Sequence, residues 1–415
     1  MKLAKKTNLV GGLDIGTSKI CTMIGEVDCD AINLLGVGVS TTEGYKRGVV
    51  TSVAELVASV RQSVEAAEQE AGAPIQSVFV TVPGSPIQGV NATGLTTVKN
   101  KTHEVSQEDI YDVIEAAKDF EVPQGMVIIH VLPQEFTLDG QSGVTDPLGM
   151  MGEQMGVRIH AMLNTNAAVQ NIINVVNKSG LVVAGTVMPQ LASASAVLTQ
   201  DEKELGTAVI DIGGGTSDIA VFFKGSLWYS DSIPMGGNHF TKDIAVGLRT
   251  PLAEAEKLKK EQGCADASMV ALEELLEVNS IGGNNVRLIS REMLCQVIQA
   301  RAEELFSLVN KKLDAWQCRR ELVAGLVISG GMSLLEGMDA VAERILGMPV
   351  RVGSSTELAN LGAWASPAYA ATGGLLLYAQ SMQKGNEQRV VGPAISSGLL
   401  EKASGKMRHW FLQFM

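Results

Sequence analysis

Residues 209–222, VIDIGGGTSDIAVF, set an apolar run, a carboxylate, three glycines, Thr216, Ser217 and a second carboxylate before another apolar run. Residues 209–211 and 219–222 are rich in β-branched and large apolar side chains, which predicts two strands joined by the glycines. Gly213, Gly214 and Gly215 let the backbone take positive φ and let a ligand come close, so that successive N–H groups form an anion-binding concavity. Asp211, at the end of the first strand, would face the same anion, which makes sense with Mg2+ or its bound water in between. The same residues also suit a glycine-rich hairpin with a solvated aspartate.

A second copy shifts that choice. Residues 10–27, VGGLDIGTSKICTMIGEV, again run strand, Asp14, Gly16, Thr17, Ser18 and a second apolar run. Two such hairpins predict two similar domains facing one nucleotide, with Lys19 placed to meet a phosphate. A third element, residues 326–338, LVISGGMSLLEGM, repeats the order β-run, Gly330-Gly331, helix-like segment. Its glycines would let a nucleobase or ribose lie against the backbone at a helix start, and they equally fit an ordinary strand-to-helix turn.

Composition removes several classes. With 415 residues, 46% hydrophobic and 19% charged, the chain can bury more than one core. A net charge of −12 argues against a nucleic-acid backbone as main partner, because no bulk excess of cations is available to displace counterions. No apolar run reaches the roughly 20 residues that span a bilayer, and no secretory pattern opens the chain. Cys21, Cys29, Cys264, Cys295 and Cys318 are odd in number and scattered, as expected of reduced packing residues in a cytoplasmic protein.

LDIGTSK, VIDIGGGTSDIAVF and LVISGGMSLLEG resemble the phosphate-1, phosphate-2 and adenosine motifs of the actin, Hsp70 and sugar-kinase ATPase superfamily. NAAVQNIINVVNKSG (166–180) resembles its first connecting helix and GGLLLYAQ (373–380) its second. Residues 146–166 and 232–259 are similar to the FtsA family of bacterial cell division proteins. The resemblance implies an α/β fold, an actin-like ATPase with two duplicated sheet-and-helix domains. Subdomain 1A would comprise 1–84, 165–195 and 365–380, a relocated subdomain 1C 85–164, subdomain 2A 196–245 and 311–364, and subdomain 2B 246–310. ATP with Mg2+ would lie between the domains. Asp14 and Asp211 would position the Mg2+ through water, and Gly16, Thr17, Ser18, Lys19, Gly213, Gly214, Gly215, Thr216 and Asp218 would surround the phosphates. Gly236, Gly237, Gly330, Gly331 and Met332 would complete the nucleotide site. Glu256 and Lys259 would hold the ribose and stack on adenine; as residues alone they also read as a solvated helix pair. Gln170 matches the place of a water-orienting glutamine, and it also reads as ordinary helix polarity. Slow hydrolysis or none is expected.

Residues 77–85 read as a buried strand and a Pro-Gly turn. SQEDIYDVIEAAKDF opens on a capping box at Ser106 and Asp109 and sets Ile110, Val113, Ile114 and Ala117 on one helical face, with MVIIHVLPQEFTL following as a strand. His130, with no Cys or His at ligand spacing, reads as a packed or hydrogen-bonded histidine. Between Thr250 and Leu313 the pattern predicts helices separated by a polar loop, VNSIGGNN.

After Gln380 comes a polar Gly/Ser/Pro-containing linker, 381–398. Residues 399–415 then place Leu400, Met407, Trp410, Phe411 and Phe414 on one side of a helix, with Lys406 and Arg408 on the other. A basic flank, an aromatic face and a terminal position describe a helix lying in a membrane interface, against anionic lipid; a helix docked on the protein's own core would use similar spacing. The resemblance therefore implies a peripheral protein of the cytoplasmic face of the inner membrane, at the division septum. It would self-associate into filaments, bind the tail of the tubulin-like protein FtsZ at 2B, and recruit later divisome membrane proteins through 1C. A PilM-type pilus-assembly ATPase shares the relocated subdomain, but the amphipathic tail speaks against it. A small-molecule kinase would need a general base for which no further glycine-flanked Asp offers itself.

Overall fold

The computed structural model describes residues 9–384 apart from 29–30, 47, 85, 272, 282–285, 356–357 and 359. The linker beyond 384 and the amphipathic segment 399–415, with its membrane-facing candidates Leu400, Lys406, Met407, Arg408, Trp410, Phe411 and Phe414, lie outside the described residues.

The two halves repeat one plan. In the first, three strands in antiparallel succession (Leu9–Ile15, Lys19–Asp28, Ala31–Thr41) are followed by Ser77–Thr81, which pairs parallel with the first, and Val182–Val187, parallel with that. In the second, Thr207–Ile212, Ser217–Phe223 and Ser226–Ile233 form the antiparallel run, and Leu326–Ser329 and Val350–Val352 add in parallel on the same side. Buried β-branched and aliphatic residues on both faces fill these strands, as sheets covered by helices require. Leu13, Ile15, Val78 and Val80 are fully buried in one half, and Val209, Ile210, Val327 and Ile328 in the other.

Each half carries an insertion. Gln88–Thr97, Met126–Leu138, Gln141–Val144 and Gln154–Thr165 extend the second half's sheet, reached through the single registered pair Asp231 and Gln88. Side chains complete that seam. His160, buried and with its pKa pushed down to about 3 by loss of solvent, bridges Asn91 Oδ1 and Ser230 Oγ at 2.7 Å each. The helix Gln107–Ala117 covers this sheet with Ile110, Val113, Ile114 and Ala117. Its capping box forms, the Asp109 N–H donating to Ser106 Oγ at 3.3 Å and the Ser106 N–H to Asp109 Oδ2 at 2.9 Å. His130 is packed and hydrogen-bonded: its Nε2 accepts the Met188 N–H at 3.2 Å.

The second insertion corrects the sequence reading. Between the helices Leu252–Gln262 and Arg291–Ala315 the chain forms a β-hairpin, Leu275–Asn279 against Val286–Ser290, where helices and a polar loop were expected. The alternation in LLEVN and VRLIS outweighs the helical pattern on either side.

The crossing between halves also differs from the expected one. Residues 166–178 are helical (Asn166–Lys178), but the repeated plan makes this helix the counterpart of Met338–Leu346. The counterpart of the last helix, Ala370–Lys384, is Pro189–Val197. These two helices cross between the sheets so closely that a Cβ on Gly374 would lie 1.8 Å from the Ala192 carbonyl oxygen. Leu375 and Leu376 of the last helix are fully buried, and truncating either to alanine is expected to remove about 2–5 kcal/mol.

Candidate functional site

The two turns singled out in the sequence are built alike. The Gly16 N–H donates to Lys19 O at 3.1 Å, and the Gly213 N–H to Thr216 O at 2.9 Å. Asp14 stands opposite Cys21 in its hairpin and Asp211 opposite Asp218 in the other. The turns meet face to face: a Cβ on Gly214 would lie 2.1 Å from Ser18 Oγ, and one on Gly215 2.7 Å from Thr17 Oγ1.

Two further glycine pairs close around the second turn. The Gly237 and Asn238 N–H groups donate to Gly213 O and Gly214 O at 2.9 and 2.8 Å, which seats the helix Gly237–Gly247, and Gly236 before it, on the turn. Gly330 takes φ +83°, and a Cβ there would stand 2.4 Å from Asp211 Oδ1, so only glycine lets the third element approach the carboxylate. A Cβ on Gly331 would meet nothing within 4 Å, whereas Met332 Sδ sits 2.9 Å from where a Gly237 Cβ would be. Lys259 is buried, not solvated. Its ammonium donates to Gly237 O at 3.1 Å, Thr241 Oγ1 at 2.9 Å and Glu256 Oε2 at 2.6 Å.

Three carboxylates share this interior. Thr81 Oγ1 donates to Asp14 Oδ1 at 2.7 Å, and burial still raises the Asp14 pKa. Ser193 Oγ donates to Asp211 Oδ2, while burial pushes Asp211 up to about 6, the Asp14 charge adding to the effect. Burial takes Asp218 to about 7; Thr216 Oγ1 donates to its Oδ2 at 3.2 Å, and its Oδ1 has no hydrogen-bond partner among the described residues. Opposing them, Lys19 has its pKa lowered by burial. Its Nζ lies 3.8 Å from the centre of the Tyr369 ring.

Clustered, poorly solvated carboxylates facing bare backbone form an environment that a cation relieves, and the opposing glycine turns and lysine suit an anion. Among the described residues no three His, Cys, Asp or Glu side chains converge tightly enough to hold a metal by themselves. The donors thus fit a cation that brings an anion and water as its other ligands, as Mg2+ does with nucleotide phosphates. The groove of about 490 Å3 lined by Val246, Arg249, Leu252 and Ile281 lies on the second half's insertion, away from these groups, and has none of this chemistry.

Sequence reasoning missed the residues that hold the carboxylates. Thr81 ends a strand and Ser193 sits in PQLASASAV, a helix of small residues buried on nearly every side, so neither carries a local signal. Gln190 lies one turn before Ser193 on the same helix face, is fully buried, and neither end of its amide has a partner among the described residues. Gln170 is exposed on Asn166–Lys178, and no described hydrogen bond joins it to the carboxylates.

The family model for the cell division protein FtsA matches residues 208–374, and that for the SHS2 domain inserted in FTSA matches 84–163. The chain is 38% identical over 400 residues to cell division protein FtsA of Pseudomonas aeruginosa, covering 96% of this chain and 95% of that one. It is 37% identical to the Escherichia coli protein of the same name (93% and 94% covered) and 34% identical to that of Borreliella burgdorferi (98% of each). The PilM-PilN type IV pilus biogenesis complex superposes with a TM-score of 0.62 at 16% identity, over 89% of this chain and 98% of that one. MreB5 of Spiroplasma citri bound to ADP superposes with 0.55 at 16% identity, over 92% and 98%. At such identities these two structures establish the fold, that of the actin-like ATPases, and nothing further.

Proposed function

Since the chain belongs to the FtsA family of cell division proteins, we propose that it binds ATP with Mg2+ between its two halves and polymerises in that state on the cytoplasmic face of the inner membrane at the division septum. The observation that carries the nucleotide part is the meeting of Thr17 and Ser18 with Gly214 and Gly215, beside Asp14, Asp211 and Lys19. Lys19 and the backbone N–H groups of the two turns would take the phosphates, and Asp14 and Asp211 would hold Mg2+ through its water. When bound, the metal supplies charge neutralisation at the phosphates. Gly236, Gly237, Glu256, Lys259, Gly330, Gly331 and Met332 would form the nucleoside side, where Lys259 is already fixed by its bonds to Gly237 and Glu256. Gln190 is better placed than Gln170 to orient water at Asp211, because Ser193 on its own helix face touches that carboxylate. Turnover is slow at best.

The remaining parts follow the family. Residues 246–310 would receive the C-terminal tail of FtsZ, and 85–164 would contact later divisome membrane proteins and neighbouring subunits. Residues 399–415 would lie in anionic lipid. Burying one large apolar side chain contributes about 1.5–3 kcal/mol, and folding the helix offsets part of the sum, so a single tail attaches reversibly. Tails aligned along a filament gain roughly 10²–10⁴ in avidity, which makes polymerisation the control of attachment.

Co-sedimentation of the full chain and of a chain ending at Ser397 with vesicles containing anionic lipid tests this reading, each with and without ATP. Pelleting that needs both the tail and ATP is expected. Equal behaviour of the two chains would remove the membrane anchor.

A further inference from the structure

We infer that Tyr369 positions the phosphate-facing lysine of the cleft, Lys19, a role that rests on the ATP reading above. The ammonium of Lys19 lies 3.8 Å from the ring centroid. Several contacts fix the ring there. Tyr369 ends the 3-10 turn Pro367–Tyr369, and its N–H donates to Ser366 O at 3.0 Å. Trp364 meets it edge-on, with centroids 5.0 Å apart and planes at 76°. Both rings pack on the apolar cluster that includes Cys21, Met23 and Leu361. The same turn is tied to the third glycine element: the Gly330 N–H donates to Pro367 O at 3.2 Å, and the Ser329 hydroxyl to that carbonyl at 3.4 Å. One short segment therefore touches the lysine of the first hairpin and the glycine that backs Asp211.

A lysine near two carboxylates would ordinarily pair with one of them. Asp14 and Asp211 both act on the charge of Lys19, yet among the described residues it forms no ion pair within 4.0 Å; its ammonium rests on the ring. The difference matters for an incoming anion. A carboxylate would occupy the N–H donors and neutralise the charge, and a phosphate would have to displace it. An aromatic face attracts the ammonium through its quadrupole and accepts none of the three N–H bonds in the ordinary way. The lysine is held in one place with its donors unspent, so less ordering is left for the moment of binding. Tyr369 thereby also keeps Asp14 and Asp211 unpaired for a cation.

The test is calorimetric titration of ATP with Mg2+ into the full chain. Tyr369→Phe keeps the ring and is expected to bind within about twofold of the unmodified chain, whereas Tyr369→Leu, which keeps apolar bulk against Trp364, should bind about three- to tenfold more weakly. Phenylalanines carrying one to five fluorines at position 369 hold the shape constant while draining the ring's negative face. Affinity should fall as fluorines are added. Tyr369→Leu binding as tightly as the unmodified chain would overturn the inference. So would a fluorinated series without trend, since the ring would then be filling space. An unmodified chain that binds no ATP would overturn the nucleotide reading itself, and the role of Tyr369 with it.

Discussion

The first and second hairpins have the same backbone and opposite chemistry. Both bind the turn with one N–H to carbonyl bond, Gly16 to Lys19 and Gly213 to Thr216, and both set an aspartate before it. Where the first carries Thr17, Ser18 and Lys19, the second has Gly214, Gly215 and Thr216, and where the first has Cys21 opposite its aspartate, the second has Asp218. One turn supplies hydroxyls and a cation; the other supplies bare backbone and a second buried carboxylate. A duplicated scaffold has thus been divided into two complementary walls, and each wall is incomplete without the other. The repeat also explains the supporting residues. Each aspartate accepts a hydroxyl from a segment outside its hairpin, Thr81 for Asp14 and Ser193 for Asp211.

The largest effect should come from giving the bare wall a side chain. Gly214→Val would drive its Cβ into Ser18 Oγ, and about 1–3 kcal/mol of stability together with nearly all ATP binding should be lost. Thr17→Ala, at the matching place in the other turn, should cost under about 1 kcal/mol. Equal losses in the two variants, read by thermal melts and ATP titration, would show that the walls are not specialised.

Next in size is Asp211→Asn. It should weaken ATP binding at least about tenfold and abolish its Mg2+ dependence, while raising the melting temperature of the nucleotide-free chain. The amide escapes the desolvation that pushes the carboxylate up to about 6, a gain on the order of 1–3 kcal/mol near neutral pH. Retained binding with unchanged Mg2+ dependence would remove this carboxylate from the site.

A smaller, pH-dependent difference should follow. A folded-state pKa raised above the ordinary carboxylate value means that the folded chain binds the proton more tightly than the unfolded one. The stabilisation is therefore full below about 4 and is lost as pH rises through about 6 for Asp211 and about 7 for Asp218. The stability gap between Asp218→Asn and the unmodified nucleotide-free chain should accordingly be widest near pH 8 and close by about pH 4. A gap independent of pH would mean that Asp218 is not held against its solvation. Thr81→Ala and Ser193→Ala, which remove the hydroxyl donors of Asp14 and Asp211, should each cost about 1 kcal/mol in urea denaturation, with the neighbouring carboxyl pushed further up.

How much of this could be read from the sequence depends on range. The hairpins, the Gly330 turn and the capping box at Ser106 announce themselves within a dozen residues, because glycine clusters, strand-forming runs and caps are local signals. The crossing helix Pro189–Val197 gives no local signal, because a helix buried on nearly every side between two sheets shows no apolar stripe. Thr81, Ser193 and Gln190 acquire meaning only from the aspartates that the fold brings to them, and Tyr369 only from Lys19, far earlier in the chain. The hairpin Leu275–Asn279 with Val286–Ser290 failed for another reason: its alternation is short and lies between two strongly helical segments.

If the two walls close on one magnesium nucleotide, as proposed above, binding must depend on groups of both. The most direct measurement is calorimetric titration of ATP into the full chain, once with Mg2+ and once with EDTA. One saturable site per chain, tightened at least about tenfold by Mg2+ and weakened by both Lys19→Ala and Asp211→Asn, is the predicted result. No saturable binding, or an affinity indifferent to Mg2+ and to both substitutions, would contradict it.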